Sequence, residues 1–270
     1  MAADITILGL GISPTEHLTP EAQRALSASQ VVLYVDHSVA TEPLLARYCP
    51  RVVPLMGEVY ETDEARLGAY ERMAVIVVEA AMNEGPVCFA MQGHPLVFVY
   101  APFLIEEMAR ALGLSVVVLP GVSAFDTVLA EVRLDPCVDG LQIYEATDVL
   151  LRKRPLQPDV PLLLWQVGNV ESRLYSMAVS RPERFDRLLE HLLTAYPPSH
   201  PVTAVYTSPH PSVPTQRLDF CLEELPEIGH QLHPGMTLVF PPVSRRPVVD
   251  VELAVQVDDP KHLRAMTAQP

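Results

Sequence analysis

Two short apolar runs that end in turns of glycine and proline constrain the fold of this chain more than any other feature. Pro86-Val-Cys-Phe-Ala90 runs into Met91-Gln-Gly-His-Pro-Leu-Val-Phe98, and further on Val116-Val-Val-Leu119 runs into Pro120-Gly-Val-Ser-Ala124. Each run reads as a strand buried on both faces, and each turn feeds a helical pattern. Such strand ends leave backbone N–H and C=O groups uncovered, which suits a small polar ligand at the carboxyl edge of a sheet.

The flanking patterns extend this reading. Ile5 to Leu10 and Val31 to Tyr34 read as strands, and Thr19-Pro-Glu opens a helix with Thr at its cap and Pro at its first position. Ala65 to Asn83 and Ala101 to Leu112 read as helices that stop at Gly85 and Gly113. Strands alternating with helices predict an open, mostly parallel α/β sheet.

After Gly121 the pattern changes. A helix at Ser123 to Glu131 and an amphipathic helix at Glu183 to Tyr196 join strands at 141–144, 162–166, 202–206, 215–220 and 236–240, predicting a second α/β domain with a mixed sheet. The expected division is residues 1–120, 121–243 and a C-terminal piece 244–270, with the cofactor cleft between the two domains. The run Val248-Val-Asp-Val-Glu-Leu-Ala-Val255 is expected as a last strand, followed by a loose polar tail.

A chain of 270 residues, 49% hydrophobic and 19% charged, can bury one large core or two ordinary ones. Its longest apolar stretches are broken by charge well short of the roughly 20 residues a bilayer requires, so no membrane partner is expected. The N-terminus runs directly into a strand without a basic segment, and a cytoplasmic location is expected. A net charge of −14 argues against nucleic acid as partner. Cys49, Cys88, Cys137 and Cys221 are scattered, as reduced, mostly buried thiols would be, and the histidines form no metal-binding pattern.

Several residues carry two readings. In Gly9-Leu-Gly-Ile-Ser-Pro14, Pro14 stands where a dinucleotide fingerprint needs its third glycine, so the loop reads as a close backbone approach. His94 either shapes the turn or lines a cofactor cleft. Arg66 and Tyr70, four apart on one helix face with Tyr60 just before, are either an ordinary surface arginine with two half-buried tyrosines or a reactive group. In the second case a cation beside a phenol favours its ionised form. Gln166, beside the single Trp165 at a strand end, needs a partner in the loop backbone or in a ligand, because an unpaired buried amide costs roughly 1–3 kcal/mol. The basic run Arg152-Lys-Arg154 reads as a solvated loop.

Gly9-Leu-Gly11, Gly93-His-Pro95, Pro120-Gly-Val-Ser-Ala124 and the two-domain order together resemble the tetrapyrrole methylase superfamily. Tyr60 with Arg66 and Tyr70, Gly93-His-Pro-Leu-Val-Phe98, Leu134-Asp-Pro136, Glu145-Ala-Thr147, Leu150-Leu-Arg152 with Pro155-Leu156, and Trp165-Gln-Val-Gly168 resemble its borosin branch, the peptide backbone α-N-methyltransferases. The likeness covers roughly residues 5 to 243.

The resemblance implies a tetrapyrrole-methylase-like fold, S-adenosylmethionine as cofactor, and methylation of backbone amide nitrogens in a ribosomally made precursor peptide. It implies Gln92, Gly93, His94, Val97, Phe98, Ser123, Ala124, Gln166, Ala204 and Thr237 as cofactor contacts, and Tyr60, Arg66 and Tyr70 facing the acceptor amide. It also implies a homodimer. Two departures stand out. The chain ends soon after the catalytic fold, so a separate precursor chain acted on in trans is expected, and Gln92 stands where some members carry an aromatic. The alternatives are a tetrapyrrole C-methylase, a diphthine-synthase-like enzyme, or a non-catalytic cofactor-binding module. The first two usually show Gly-Asp-Pro where this chain has Gly93-His-Pro95.

Overall fold

The computed structural model describes residues 3–60, 64–174, 176 and 178–268. Strands β1 (Ile5–Gly9), β2 (Val31–Val35), β3 (Val52–Pro54), β4 (Val87–Met91) and β5 (Val116–Leu119) form one sheet in the order β3-β2-β4-β1-β5, with every pairing parallel. On one face Ile5, Ile7, Val87 and Phe89 pack under the Arg66–Glu84 and Ala101–Ala111 helices. On the other, Leu8, Val32, Cys88 and Ala90 pack under the Pro20–Ala28 helix and Leu44–Leu45. β1, β2 and β4 are buried on both faces, which is why they read as unbroken apolar runs; β5, expected to be buried in the same way, is an edge strand with no fully buried residue. Thr19 caps its helix, its Oγ1 accepting the Ala22 N–H at 3.1 Å, and Gly85 ends the Arg66–Glu84 helix at φ 97°.

The second sheet runs β6-β7-β10-β8-β9, from β6 (Gln142–Glu145), β7 (Leu162–Trp165), β8 (Pro201–Tyr206), β9 (Gln216–Cys221) and β10 (Thr237–Phe240). Only β6 and β7 are parallel; β7-β10, β10-β8 and β8-β9 are antiparallel. One face carries Leu162, Leu164, Ala204 and Leu238 against the Asp186–Leu192 helix. The other carries Leu163, Trp165, Val205 and Val239 against Val128 of the Ala124–Val132 helix.

Two elements differ from expectation. β3 is a three-residue edge strand ending in Pro54, too short to carry a period. The expected strand at 248–255 is instead a helix, Val251–Gln256, followed by Pro260–Met266; residues 269 and 270 lie outside the described residues. Asp250 caps the first, its Oδ1 accepting the Leu253 N–H at 2.8 Å. Adjacent apolar pairs, Val248-Val249 and Ala254-Val255, break the alternation that a half-buried strand needs. Ion pairs of Arg245 with Asp139 and Arg246 with Asp159 fasten the start of this piece to the second domain. Cys49 and Cys88 are buried, and burial pushes the Cys88 thiol up to about 12, whereas Cys137 is exposed and Cys221 half-buried. Among the described residues no helix is long and apolar enough to cross a membrane.

The turns after β1, β4 and β5 meet through glycine backbones. Gly11 and Gly93, at φ 78° and 76°, exchange backbone hydrogen bonds of 3.2 and 2.9 Å. A Cβ on Gly121 would sit 2.5 Å from the Gly93 carbonyl oxygen and 2.8 Å from the Gly9 Cα. Both neighbours are backbone, so the crowding cannot be relieved by a side chain swinging away. Gly121→Ala is therefore expected to lose about 1–3 kcal/mol in denaturant unfolding. Gly57→Ala, where an added methyl meets open space, should lose nothing; equal stability of the two variants would refute the close-approach reading.

Candidate active site

Three cavities meet beside these turns. The first, about 260 Å³, is bounded by the strand-end loops of the parallel sheet and one face of the mixed sheet: Gly93, His94, Val97 and Phe98 on one side, Trp165, Gln166, Val205, Tyr206 and Thr237 on the other. The second, about 970 Å³, is lined by Arg66, Leu67, Tyr70, Leu96, Val99, Tyr100 and Phe103 from the first domain and by Glu145, Thr147, Leu151 and Arg152 from the second. Among the described residues only Phe98 and Gln166 line both. The third, about 220 Å³, holds Asp36, His37, Met56, Tyr60, Tyr70 and Gln92.

The dividing wall has unusual backbone geometry. Phe98 and Gln166 both sit at φ 55°, a left-handed conformation that non-glycine residues adopt at a cost. Phe98 stacks on Trp165 with ring centroids 5.1 Å apart. Arg66 Nη1 donates to Gln166 Oε1 at 2.6 Å, its Nη2 to the Ser172 carbonyl at 3.2 Å, and its Nε to the Arg173 carbonyl at 3.4 Å. The Arg66 backbone N–H also donates to the Arg173 carbonyl, at 3.0 Å. Arg66 thus opens a first-domain helix while its side chain ties that helix to the second domain. The partner of Gln166 is thus neither the loop backbone nor a ligand but the Arg66 side chain, and Gln166 still lines both cavities.

Of the residues considered for a cofactor, Gln92, Gly93, His94, Val97, Phe98, Ser123, Ala124, Gln166 and Thr237 line the first cavity, and Ala204 does not. Side chains alternate along β8, so Ala204, paired with Leu238, points into the opposite core, and its neighbour Val205 takes the cavity face. His94 does both things it could do: its Nδ1 accepts the Leu96 N–H at 3.1 Å within the turn, and it lines the cavity. The Ser123 hydroxyl is engaged with Asp126 Oδ2 at 2.6 Å in a helix capping box.

Tyr60, Arg66 and Tyr70 do not surround a single space. Tyr70 and Arg66 line the second cavity, Tyr70 and Tyr60 the third, so Tyr70 is the link. Residues of the cavity walls that the sequence reading did not select include Tyr206, Pro234 and Gly235. The His233-Pro-Gly235 string resembles Gly93-His-Pro95 in composition and was the signal available.

Polar atoms left over bear on what the first cavity can hold. Thr237 Oγ1 and Trp165 Nε1 are buried and have no hydrogen-bond partner among the described residues. They fit a small ligand that carries both donors and acceptors. No group of side chains able to hold a metal ion occurs among the described residues.

Residues 4–208 match the family model for Tetrapyrrole (Corrin/Porphyrin) Methylases. The methyltransferase/ribosomally synthesized cyclic peptide omphalotin A precursor of Omphalotus olearius is 30% identical over 247 residues, 91% of this chain and 59% of that protein. The type I borosin cyclic peptide precursor of Coprinopsis marcescibilis is 34% identical over 203 residues, 74% of this chain and 52% of that protein. The chain thus spans between half and three-fifths of these relatives. Among solved structures, uroporphyrin-III-C-methyltransferase of Thermus thermophilus shares the fold at a TM-score of 0.63 and 22% identity, over 89% of this chain and 93% of that one. Cobalt precorrin-4 methyltransferase does so at 0.64 and 15%, over 88% and 94%.

His233, next to the cavity-lining Pro234 and Gly235, gives the fold a pH dependence. Its Nδ1 accepts the Gly235 N–H at 3.2 Å, and burial holds its pKa below the usual imidazole value. The unfolded chain therefore takes up this proton first, so stability is full above about pH 6.5 and falls as pH drops below it. His200, also held low by burial, acts in the same sense. Thermal unfolding between pH 8 and pH 5, values chosen to bracket roughly the ordinary imidazole pKa, should show the fall, and His233→Gln should flatten it; an unchanged slope would remove His233 from this role.

Proposed function

The chain belongs to the tetrapyrrole methylase family, whose members take their methyl group from S-adenosylmethionine, and we propose that this one methylates backbone amide nitrogens of a peptide supplied as a separate chain. The observation that carries the reading is the shared wall. A 260 Å³ cavity and a 970 Å³ cavity, each lined by a mixture of polar and apolar side chains, touch through Phe98 and Gln166, with Arg66 bonded to Gln166. A methyl group carried in the first would be presented to an acceptor in the second.

Gly93, His94, Val97, Ala124, Gln166 and Thr237 would hold the cofactor, which supplies an electrophilic sulfonium methyl. The acceptor nitrogen is a poor nucleophile because its lone pair is shared with the carbonyl. Arg66 has five N–H donors and its side chain makes three hydrogen bonds. The remaining two are available to polarise the amide oxygen and stabilise charge as it develops there. Tyr70 stands on the same cavity and would accept or relay the amide proton, with Tyr60 behind it across the third cavity.

The curated relatives are methyltransferases joined to cyclic-peptide precursors, which supports a peptide acceptor. The apolar lining of Leu67, Leu96, Val99, Phe103 and Leu151 favours uncharged side chains on it. A net charge of −14 disfavours a polycarboxylated tetrapyrrole. A homodimer and a cytoplasmic location accompany the proposal.

Purified chain with S-adenosylmethionine and short linear peptides of Val, Leu, Ile and Gly should give peptides with added backbone methyl groups, located by fragmentation mass spectrometry. A rate that rises with peptide concentration would support action on a separate chain. Turnover of a porphyrinoid with none of any peptide would replace the reading with a C-methylase. Tyr70→Phe is expected to slow transfer by about 10²–10⁴-fold and to leave S-adenosylhomocysteine affinity, read by calorimetry, nearly intact. Gln166→Ala should weaken that affinity, and a wild-type rate for Tyr70→Phe would sink the assignment of the proton step.

A further inference from the structure

The Glu145-Ala-Thr147 string remains unused by the chemistry above, yet both of its polar side chains line the large cavity on the wall supplied by the second domain. Glu145 is half-used. Its Oε2 accepts the Asp148 N–H at 2.6 Å and so caps the short Ala146–Arg152 helix, whereas its Oε1 is buried and has no partner among the described residues. Thr147 is only 8% exposed, and its Oγ1 is likewise buried without a partner. Each such orphan costs roughly as much as a hydrogen bond is worth, and two side by side in one cavity wall are unusual. A valine at 147 would fill the same volume without the penalty, as would a cap with no second oxygen at 145.

Both orphans are oxygens. A carboxylate oxygen only accepts hydrogen bonds, and the hydroxyl can accept as well. An N–H or O–H donor on an occupant of the cavity would satisfy both. The facing wall sets Arg66 beside Leu96, Val99 and Phe103, so a lysine or arginine of the occupant would meet a like charge and apolar surface, and a backbone donor fits there better.

We propose that Glu145 Oε1 and Thr147 Oγ1 form a peptide subsite that takes backbone N–H groups of residues next to the one being methylated. This rests on the peptide acceptor proposed above. It makes the subsite selective for unmodified neighbours, because an N-methylated residue has no N–H to give.

The probe is a linear Val/Leu peptide, and affinity is read by calorimetry on the full chain loaded with S-adenosylhomocysteine. Thr147→Val should fold at least as stably as wild type and bind the peptide about fivefold more weakly, with Thr147→Ser restoring affinity. Glu145→Gln keeps an oxygen for the Asp148 N–H and turns an amide donor toward the cavity; binding should fall tenfold or more. Replacing single peptide amides by esters should weaken binding to wild type at particular positions and have no further effect in the Thr147→Val, Glu145→Gln double variant. Unchanged affinity in both single variants overturns the subsite even where methylation proceeds. Binding that depends on Glu145 and Thr147 in a chain that methylates no peptide supports the subsite and overturns the acceptor chemistry instead.

Discussion

The Arg66 side chain joins the two sides of the cleft. An arginine can only donate hydrogen bonds, so the Gln166 atom it meets at 2.6 Å must be the amide oxygen, and the Gln166 NH₂ group must face away. One contact therefore sets both the distance between the two domains at the cleft and the polarity of the residue that divides it. The Ser172 and Arg173 carbonyls, taking the other Arg66 donors, hold the loop after β7 to the start of the Arg66–Glu84 helix. These bonds are at most partly buried, so each contributes less than a fully desolvated charge-assisted bond. Together they act against the cost of the left-handed backbone at Gln166, which is of the order of 1–3 kcal/mol.

The glycine contacts beneath this latch act on the other side of the cleft. Gly9, Gly93 and Gly121 come from the ends of three neighbouring parallel strands, and their backbones approach too closely for side chains. The loop from Gly93 to Phe98 is thereby held low against the sheet. Phe98, at φ 55°, turns up from it to stack on Trp165. Two residues in sparsely populated conformations, one from each domain, form a wall that neither domain could position alone.

Much of this was legible in the sequence. Runs buried on both faces announce themselves by composition, so β1, β2 and β4 could be read directly; β5 was found by its apolar run, although as an edge strand it is only partly buried. β3 could not, because three residues on a sheet edge carry no pattern. The apolar residues of the C-terminal piece suit a strand as well as a helix, and the determining residue is Asp250, which caps a helix. Ala204 shows a different limit. The region was right, and only the pairing of β8 with β10 decides which of two adjacent residues faces the cavity. The grouping of Tyr60, Arg66 and Tyr70 was visible as spacing along one chain segment. Their distribution over two cavities depends on the second domain, and nothing in that spacing reports it.

The chemistry proposed for the cleft changes the hydrogen-bonding capacity of its own substrate. Methylating a backbone nitrogen deletes a donor and leaves every acceptor in place. A wall that offers acceptors, as Glu145 Oε1 and Thr147 Oγ1 do, binds the unmodified chain better than the modified one. A wall that offers donors, as Arg66 does, binds both alike. With the two kinds on the two sides of one cavity, the arginine side would hold a peptide through each transfer, and the acceptor side would favour its advance toward residues not yet methylated. Affinity and direction would then come from different residues, and neither would require a contact to side chains of defined sequence.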